Sequence, residues 1–233
     1  ASVTVVKNIF TPQVSTLKKW YETSKYDAII FLSDGSIPLV CSRKLFLHIQ
    51  QPLEKSEVTS FRGKLKSSRV TRVFYNSKFT QNFNKDLLSG ISSTVIYPPV
   101  SNFWRETKKE QIILHVGRFR VKNVIGVDDY KKQHVMIDAF KQMVDKKMNH
   151  GWKFVLAVSI KETDREQFSL LQQKAKGYPI AFLINKSNTQ LWEMYNAAKI
   201  YWHASGFGED LNKHPEYAEH FGISTVEAMG AGA

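Results

Sequence analysis

The chain has 233 residues, 42% of them hydrophobic and 23% charged, with no low-complexity tract. That composition excludes a disordered or fibrous protein and allows one large or two small packed domains. No apolar run approaches the roughly 20 residues of a membrane span. The single Cys41 excludes an internal disulfide and fits a reducing compartment, so a cytoplasmic location is expected. The net charge is +12, and it is uneven: residues 1–110 hold 17 Lys/Arg against 8 Asp/Glu, residues 111–233 hold 16 against 13.

In chain order, Tyr26 to Leu32 is a short apolar run before the turn Ser33-Asp34-Gly35, and Lys44 to Ile49 is a second strand. Residues 59–68 read as one basic helix. Val70 to Tyr75 is a strand, 78–88 a helix, and Ser93 to Tyr97 a strand that Pro98-Pro99 stops. The polar stretch 99–110 marks a boundary, which gives a partial first domain at 1–108 and a partial second at 109–233. The second opens with a strand at 111–116. A helix over 132–148 follows, with Val135, Met136, Ala139, Phe140 and Met143 on one face. Then come a strand at 152–158, a helix at 162–175, a strand at 180–184, a helix at 189–198 and a strand at 200–204. Strands alternating with helices predict an α/β protein with parallel sheets.

The chemistry concentrates at the end of the chain, in EHFGISTVEAMGAGA. Glu219 stands eight positions before Glu227, with Phe221 and Gly222 between them and a helix-forming run from Ile223. Gly222 lets backbone approach a ligand, and the helix start favours phosphate. Ionised carboxylates accept well from sugar and ribose hydroxyls. The competing reading is a capping box: Ser224 is followed three residues later by Glu227, a pairing that needs no ligand. Upstream, Arg118 ends a strand, where ligands bind open α/β sheets, and Lys131 stands at the next helix start. Such a cation pair would neutralise a leaving diphosphate, although a surface ion pair would look the same. Lys132 is adjacent and could take the same role. His220 could tune the charge of Glu219. A lone His48 on an apolar strand fits a satisfied core residue. No metal-ligand spacing is visible, so no metal is expected.

The segment EHFGISTVEAMGAG resembles the E-x7-E motif of glycosyltransferase family 4, retaining enzymes of the GT-B fold with two Rossmann-like domains. Three other segments resemble the family in the same order: Val116-Gly117-Arg118-Phe119 with Lys131 and HVMIDAF at 134–140, Tyr75-Asn76-Ser77-Lys78-Phe79, and Tyr97-Pro98-Pro99-Val100. The resemblance implies transfer of a sugar from a nucleoside diphosphate sugar to an acceptor hydroxyl, with that donor as co-substrate and no further cofactor. It implies that Arg118, beside Gly117, and Lys131 hold the diphosphate, that Glu227 holds the ribose, and that Glu219 with Phe221, Gly222 and Ile223 holds the sugar. Ile184 and Asn185 would border the base, and His48 would face the donor sugar from the first domain. It also implies a glycan or lipid-linked acceptor. A sugar-nucleotide epimerase, a phosphorylase or a binding module without turnover are the alternatives.

The chain departs from the family in two places. Thirteen positions separate Arg118 from Lys131, with 119–130 inserted, and residues 206–218 form a long loop before Glu219. The sequence reads as an internal fragment of a longer transferase, since it opens without Met and stops inside a helix. Arg62, Lys64, Lys66, Arg69 and Arg72 fall within eleven residues, a patch for anionic lipid headgroups, for phosphates, or a solvated helix face. The resemblance favours a membrane surface over nucleic acid, and no nucleic-acid motif is present.

Overall fold

A computed structural model of the chain describes residues 4, 6–101, 103–119 and 131–233. It divides into two compact units, Ala1–Pro98 and Pro99–Ala233, each built on a parallel sheet. Residues 99–109 go with the second unit, where Arg105 N–H donates to Asn196 Oδ1, Thr107 Oγ1 donates to the Asn196 carbonyl and Lys109 Nζ to the Ala231 carbonyl.

The first unit runs α1 (Thr16–Ser24), β1 (Ala28–Ser33), β2 (Lys44–Ile49), α2 (Ser56–Thr59), α3 (Phe61–Ser67), β3 (Val70–Tyr75), α4 (Lys78–Asn84) and β4 (Ser93–Val95). Its strands pair in chain order, β1-β2-β3-β4. Period-two alternation sends Leu45, Leu47 and Ile49 of β2 and Val73 and Tyr75 of β3 into one core. The opposite face carries His48, in register with Leu32 and Phe74, beside Ile30 and Leu32, which are 68% and 64% exposed.

Two expected helices of this unit need correction, and a third helix was not expected. The single basic helix at 59–68 is two short helices, because Ser60 turns extended and its Oγ caps α3 by accepting from Gly63 N–H. The helix at 78 ends at Asn84. There the amide donates to the Thr80 carbonyl and accepts from Leu53 N–H, side-chain bonds that compete with a further turn. Helix α1 had no counterpart in the reading of the sequence. Its start is marked by Ser15, which caps Lys18 N–H, but its apolar residues Leu17 and Tyr21 are exposed.

The second unit runs β5 (Glu110–Arg118), α5 (Gln133–Asp145), β6 (Lys153–Ser159), α6 (Arg165–Lys174), β7 (Ile180–Ile184), α7 (Asn188–Ala197), β8 (Ala198–Tyr201) and α8 (Ile223–Gly230). Its sheet is ordered β7-β6-β5-β8, all parallel. Both faces are covered, as buried parallel strands require. Ile113, Phe154, Leu156 and Val158 meet Phe140 of α5 and Phe168 of α6 on one face. Ile112, Leu114, Val155 and Ala157 meet Trp192 and Tyr195 of α7 and Ala228 of α8 on the other. The last strand lies two to three residues earlier than the expected 200–204, because α7 passes into β8 at Ala198 without a loop.

Candidate functional site

The chain builds β5, β6 and β7 outward in one direction, then returns to place β8 on the far side of β5. The order therefore reverses between β5 and β8, and in open parallel sheets the crevice at the carboxyl ends of such strands is the ligand site. Arg118 is the last residue of β5, and Trp202 and His203 follow β8. Tyr201 ties these ends together: its hydroxyl donates to the Val116 carbonyl at 3.1 Å and shares a hydrogen bond with the Ser224 hydroxyl at 2.9 Å. The start of α8 is thus fixed against β5.

Glu219 sits at the centre of this crevice. Lys131 Nζ reaches its Oε2 at 2.6 Å and His203 Nε2 the same oxygen at 3.0 Å. Burial pushes the carboxyl up, but the His203 hydrogen bond and the adjacent Lys131 charge outweigh it and hold it at about 2. Glu219 is therefore ionised at neutral pH, and its Oε1 makes no hydrogen bond among the described residues, which leaves it to accept from a ligand. The turn behind it needs glycine. Gly222 has φ +80°, and a Cβ there would stand 3.0 Å from Glu219 Cγ. Phe221 is half-buried beside it, and Ile223, the first residue of α8, is 48% exposed.

Glu227 lies one turn into α8. The capping box does not form: Gly222 is the N-cap, no side chain caps α8, and Ser224 bonds Tyr201 instead. Glu227 accepts from the buried Tyr195 hydroxyl at 3.0 Å. Burial raises its pKa and the Tyr195 bond opposes that rise.

At the other wall, Arg118 is exposed and makes no ion pair among the described residues. Gly117 is held close: a Cβ there would meet His115 Nε2 at 2.9 Å. His115 is buried, so its Nδ1–H donates to the Trp202 carbonyl at 3.0 Å and its Nε2 faces Gln133 Nε2 at 3.3 Å. Burial pushes it down to about 4, and it stays neutral. Lys132 caps α5 in the left-handed region, φ 51°, and its ammonium pairs with Glu209 of the long loop. Residues 120–130 of the inserted segment lie outside the described residues.

Four of the expected residues, Arg118, Lys131, Glu219 and Glu227, thus border one crevice of the second unit, together with Gly117, Phe221, Gly222 and Ile223. Ile184 packs against the core at the end of β7. Asn185, at φ 49°, spends its side chain on structure, accepting from Ile160 N–H at 2.9 Å and donating to the Ile160 carbonyl at 3.3 Å. His48 lies inside β2 of the first unit, half-buried. His220 bonds the Pro215 carbonyl at 3.1 Å, and the groups that lower the pKa of Glu219 are His203 and Lys131.

His203, Tyr195 and Glu209 were missed from sequence. His203 hid inside the strand expected at 200–204, Tyr195 inside the helix expected at 189–198, and Glu209 in a loop without a pattern. The visible signal for His203 was a polar residue in an apolar run just upstream of Glu219.

The profile of the family described as glycosyl transferases group 1 matches residues 100–233. A GDP-Man:Man(3)GlcNAc(2)-PP-Dol alpha-1,2-mannosyltransferase of Dictyostelium discoideum is 24% identical over 181 residues, 69% of this chain and 32% of that protein. The chain therefore spans about a third of that relative. The crystal structure of TarM superposes with a TM-score of 0.60 at 15% identity, over 88% of this chain and 39% of that one. An alpha,alpha-trehalose-phosphate synthase (UDP-forming) from Burkholderia vietnamiensis gives 0.51 at 10% identity, over 82% and 50%. At such identities the superpositions carry the fold alone, two Rossmann-like units of the GT-B class. The profile spans β5, Lys131 and the Glu219–Glu227 segment, more than half of the chain, and the chain belongs to the glycosyl transferases group 1 family.

Proposed function

We propose that the protein transfers a hexosyl group, with retention, from a nucleoside diphosphate sugar to an acceptor hydroxyl, and that the second unit holds the donor. The observation that carries this reading is Glu219, an ionised carboxylate at the switch point, braced through one oxygen by Lys131 and His203. Arg118 and Lys131 hold the diphosphate. Glu227, oriented by Tyr195, accepts from the ribose. Glu219 Oε1 accepts from a sugar hydroxyl. The bond from the anomeric carbon to the β-phosphate oxygen breaks with its electron pair leaving on the diphosphate. The acceptor oxygen bonds the same face and its proton passes to the departing phosphate oxygen. Positioning and charge stabilisation lower the barrier.

The mannosyltransferase relative supports GDP-mannose as the donor and a diphosphate-linked lipid oligosaccharide as the acceptor. A lipid-linked acceptor supports a reading in which the enzyme works at the cytoplasmic face of a membrane. The basic segment suits that setting. Lys66 pairs with Glu57 and Arg69 donates to the Ser42 carbonyl, but Arg62 and Lys64 are exposed on α3 with Phe61 and Leu65, and Arg72 is exposed on β3. Each basic residue contributes about 1 kcal/mol near an anionic surface. Co-sedimentation of the protein with phosphatidylserine vesicles, weakening as salt rises, is the expected result. Equal sedimentation with neutral vesicles contradicts it.

The reaction is tested by following GDP release from GDP-mannose with and without a lipid-linked oligosaccharide. Release that requires the acceptor, with an α-linked product by NMR, is expected. Release indifferent to acceptor, or a β-linked product, overturns the reading.

A further inference from the structure

The long loop at 206–218 is stapled to the start of α5 at both ends. Glu209, near its beginning, pairs with Lys132, and Glu219, just past its end, pairs with Lys131. Two adjacent ammonium groups therefore each meet a carboxylate of the chain itself. The two pairs differ in what the carboxylate can do next. Glu219 is also bonded to His203 and lies just before the Gly222 turn that starts α8, so it is fixed. Glu209 is carried on a loop segment that begins Gly206-Phe207-Gly208, with both glycines at φ near +78° and Phe207 66% exposed. Its carboxylate makes no hydrogen bond to a second side chain among the described residues. The Lys132–Glu209 side chains are nevertheless 17% and 26% exposed, so the lysine is largely withdrawn from water by an acid that the loop alone supplies.

Resting on the donor site proposed above, we infer that Glu209 is an internal stand-in for a phosphate: it neutralises Lys132 while the site is empty, and the donor diphosphate displaces it. Lys132 is then a second anion ligand, next to Lys131. The exchange keeps the ammonium paired, since one anionic group replaces another on it, and the phosphate offers more negative charge and more acceptor oxygens than the carboxylate it displaces. Removing a phosphate ligand weakens binding, whereas removing a competitor strengthens it, so the sign of one substitution separates this role from a plain structural staple. Glu209 on its released loop also becomes a negative group at the rim of the site, and the loop segment with Phe207 is freed only when a diphosphate is bound. The ligand class is thus a pyrophosphate group, whether free or carried by a nucleotide.

The test is calorimetric titration of the full-length protein and its Glu209→Gln variant with inorganic pyrophosphate and, separately, with GDP. The isosteric amide keeps the loop's shape and removes the charge. Affinity for both probes should rise about three- to tenfold, the range of a partly exposed ion pair, and the gain should shrink at high salt. Adding Lys132→Met to Glu209→Gln should abolish the gain. Backbone hydrogen exchange over 206–214 should quicken in the parent when pyrophosphate is added. Unchanged or weaker pyrophosphate binding by Glu209→Gln makes Glu209 a structural staple and overturns the inference, even where the parent binds GDP and the donor site stands. A parent that binds pyrophosphate but not GDP, with the gain intact, overturns the nucleotide reading and leaves the anion exchange in place. A parent that binds neither probe overturns both.

Discussion

Glu219→Ala is expected to lower kcat/KM for sugar transfer by about 10²- to 10³-fold, the scale of losing one preorganised polar group at a reacting centre. The side chain does two jobs at once: Oε2 braces Lys131 and His203, and Oε1 is open to the sugar. Alanine removes the sugar contact and leaves an ammonium and an imidazole facing each other across the crevice. Glu219→Gln should lose less, because an amide oxygen still accepts from a hydroxyl, while its charge no longer holds Lys131. Steady-state kinetics with the nucleotide sugar, beside a melting curve to exclude unfolding, measure this. A loss below about threefold for the alanine variant would remove Glu219 from the donor site.

Acidification from pH 7 is expected to destabilise the protein in two successive windows. His115 is held neutral at about 4 in the fold, against its ordinary 6.5. Between those values the unfolded chain takes up a proton that the folded chain refuses, so stability falls as pH falls. The loss approaches about 3 kcal/mol by pH 4. Glu219 acts lower: its folded value of about 2 lies below the ordinary 4.5, so its contribution is complete above 4.5 and is lost as pH drops towards 2. Urea unfolding midpoints at pH 7.5, 5.5 and 4.5 test the upper window. His115→Gln, which cannot titrate, should flatten the slope between pH 6.5 and 4 whatever it costs at neutral pH. An unaltered slope in that variant would show that His115 is not the group responsible.

The alternation of strands and helices was legible because both sheets are parallel and buried strands read as apolar runs. Val70–Tyr75 and Ile180–Ile184 lie where the sequence placed them. What escaped was set by single side chains. Ser60 splits a helix by capping, and Asn84 ends another by bonding backwards, events that hydrophobic periodicity does not register. At the site, Glu219 and Glu227 stood out through spacing around a glycine whose need the structure supplies in atomic terms: its positive φ and the missing room for a Cβ. The ambiguity of Ser224 and Glu227 could not be resolved in one dimension. Both readings fit the spacing, and only the bonds from Tyr201 and Tyr195, 23 and 32 residues away, decide it. His203 and Glu209 were invisible for a related reason, since their partners lie 16 and 77 residues off.

Whether the crevice between β5 and α8 is a sugar-nucleotide site is decided by a crystal structure of the protein with GDP-mannose. The diphosphate is expected within hydrogen-bond reach of Arg118 and the Lys131–Lys132 start of α5, the ribose hydroxyls on Glu227, and a mannose hydroxyl on Glu219 Oε1. A nucleotide bound away from the carboxyl ends of β5 and β8, or one in the crevice whose diphosphate touches neither Arg118 nor Lys131, would contradict it.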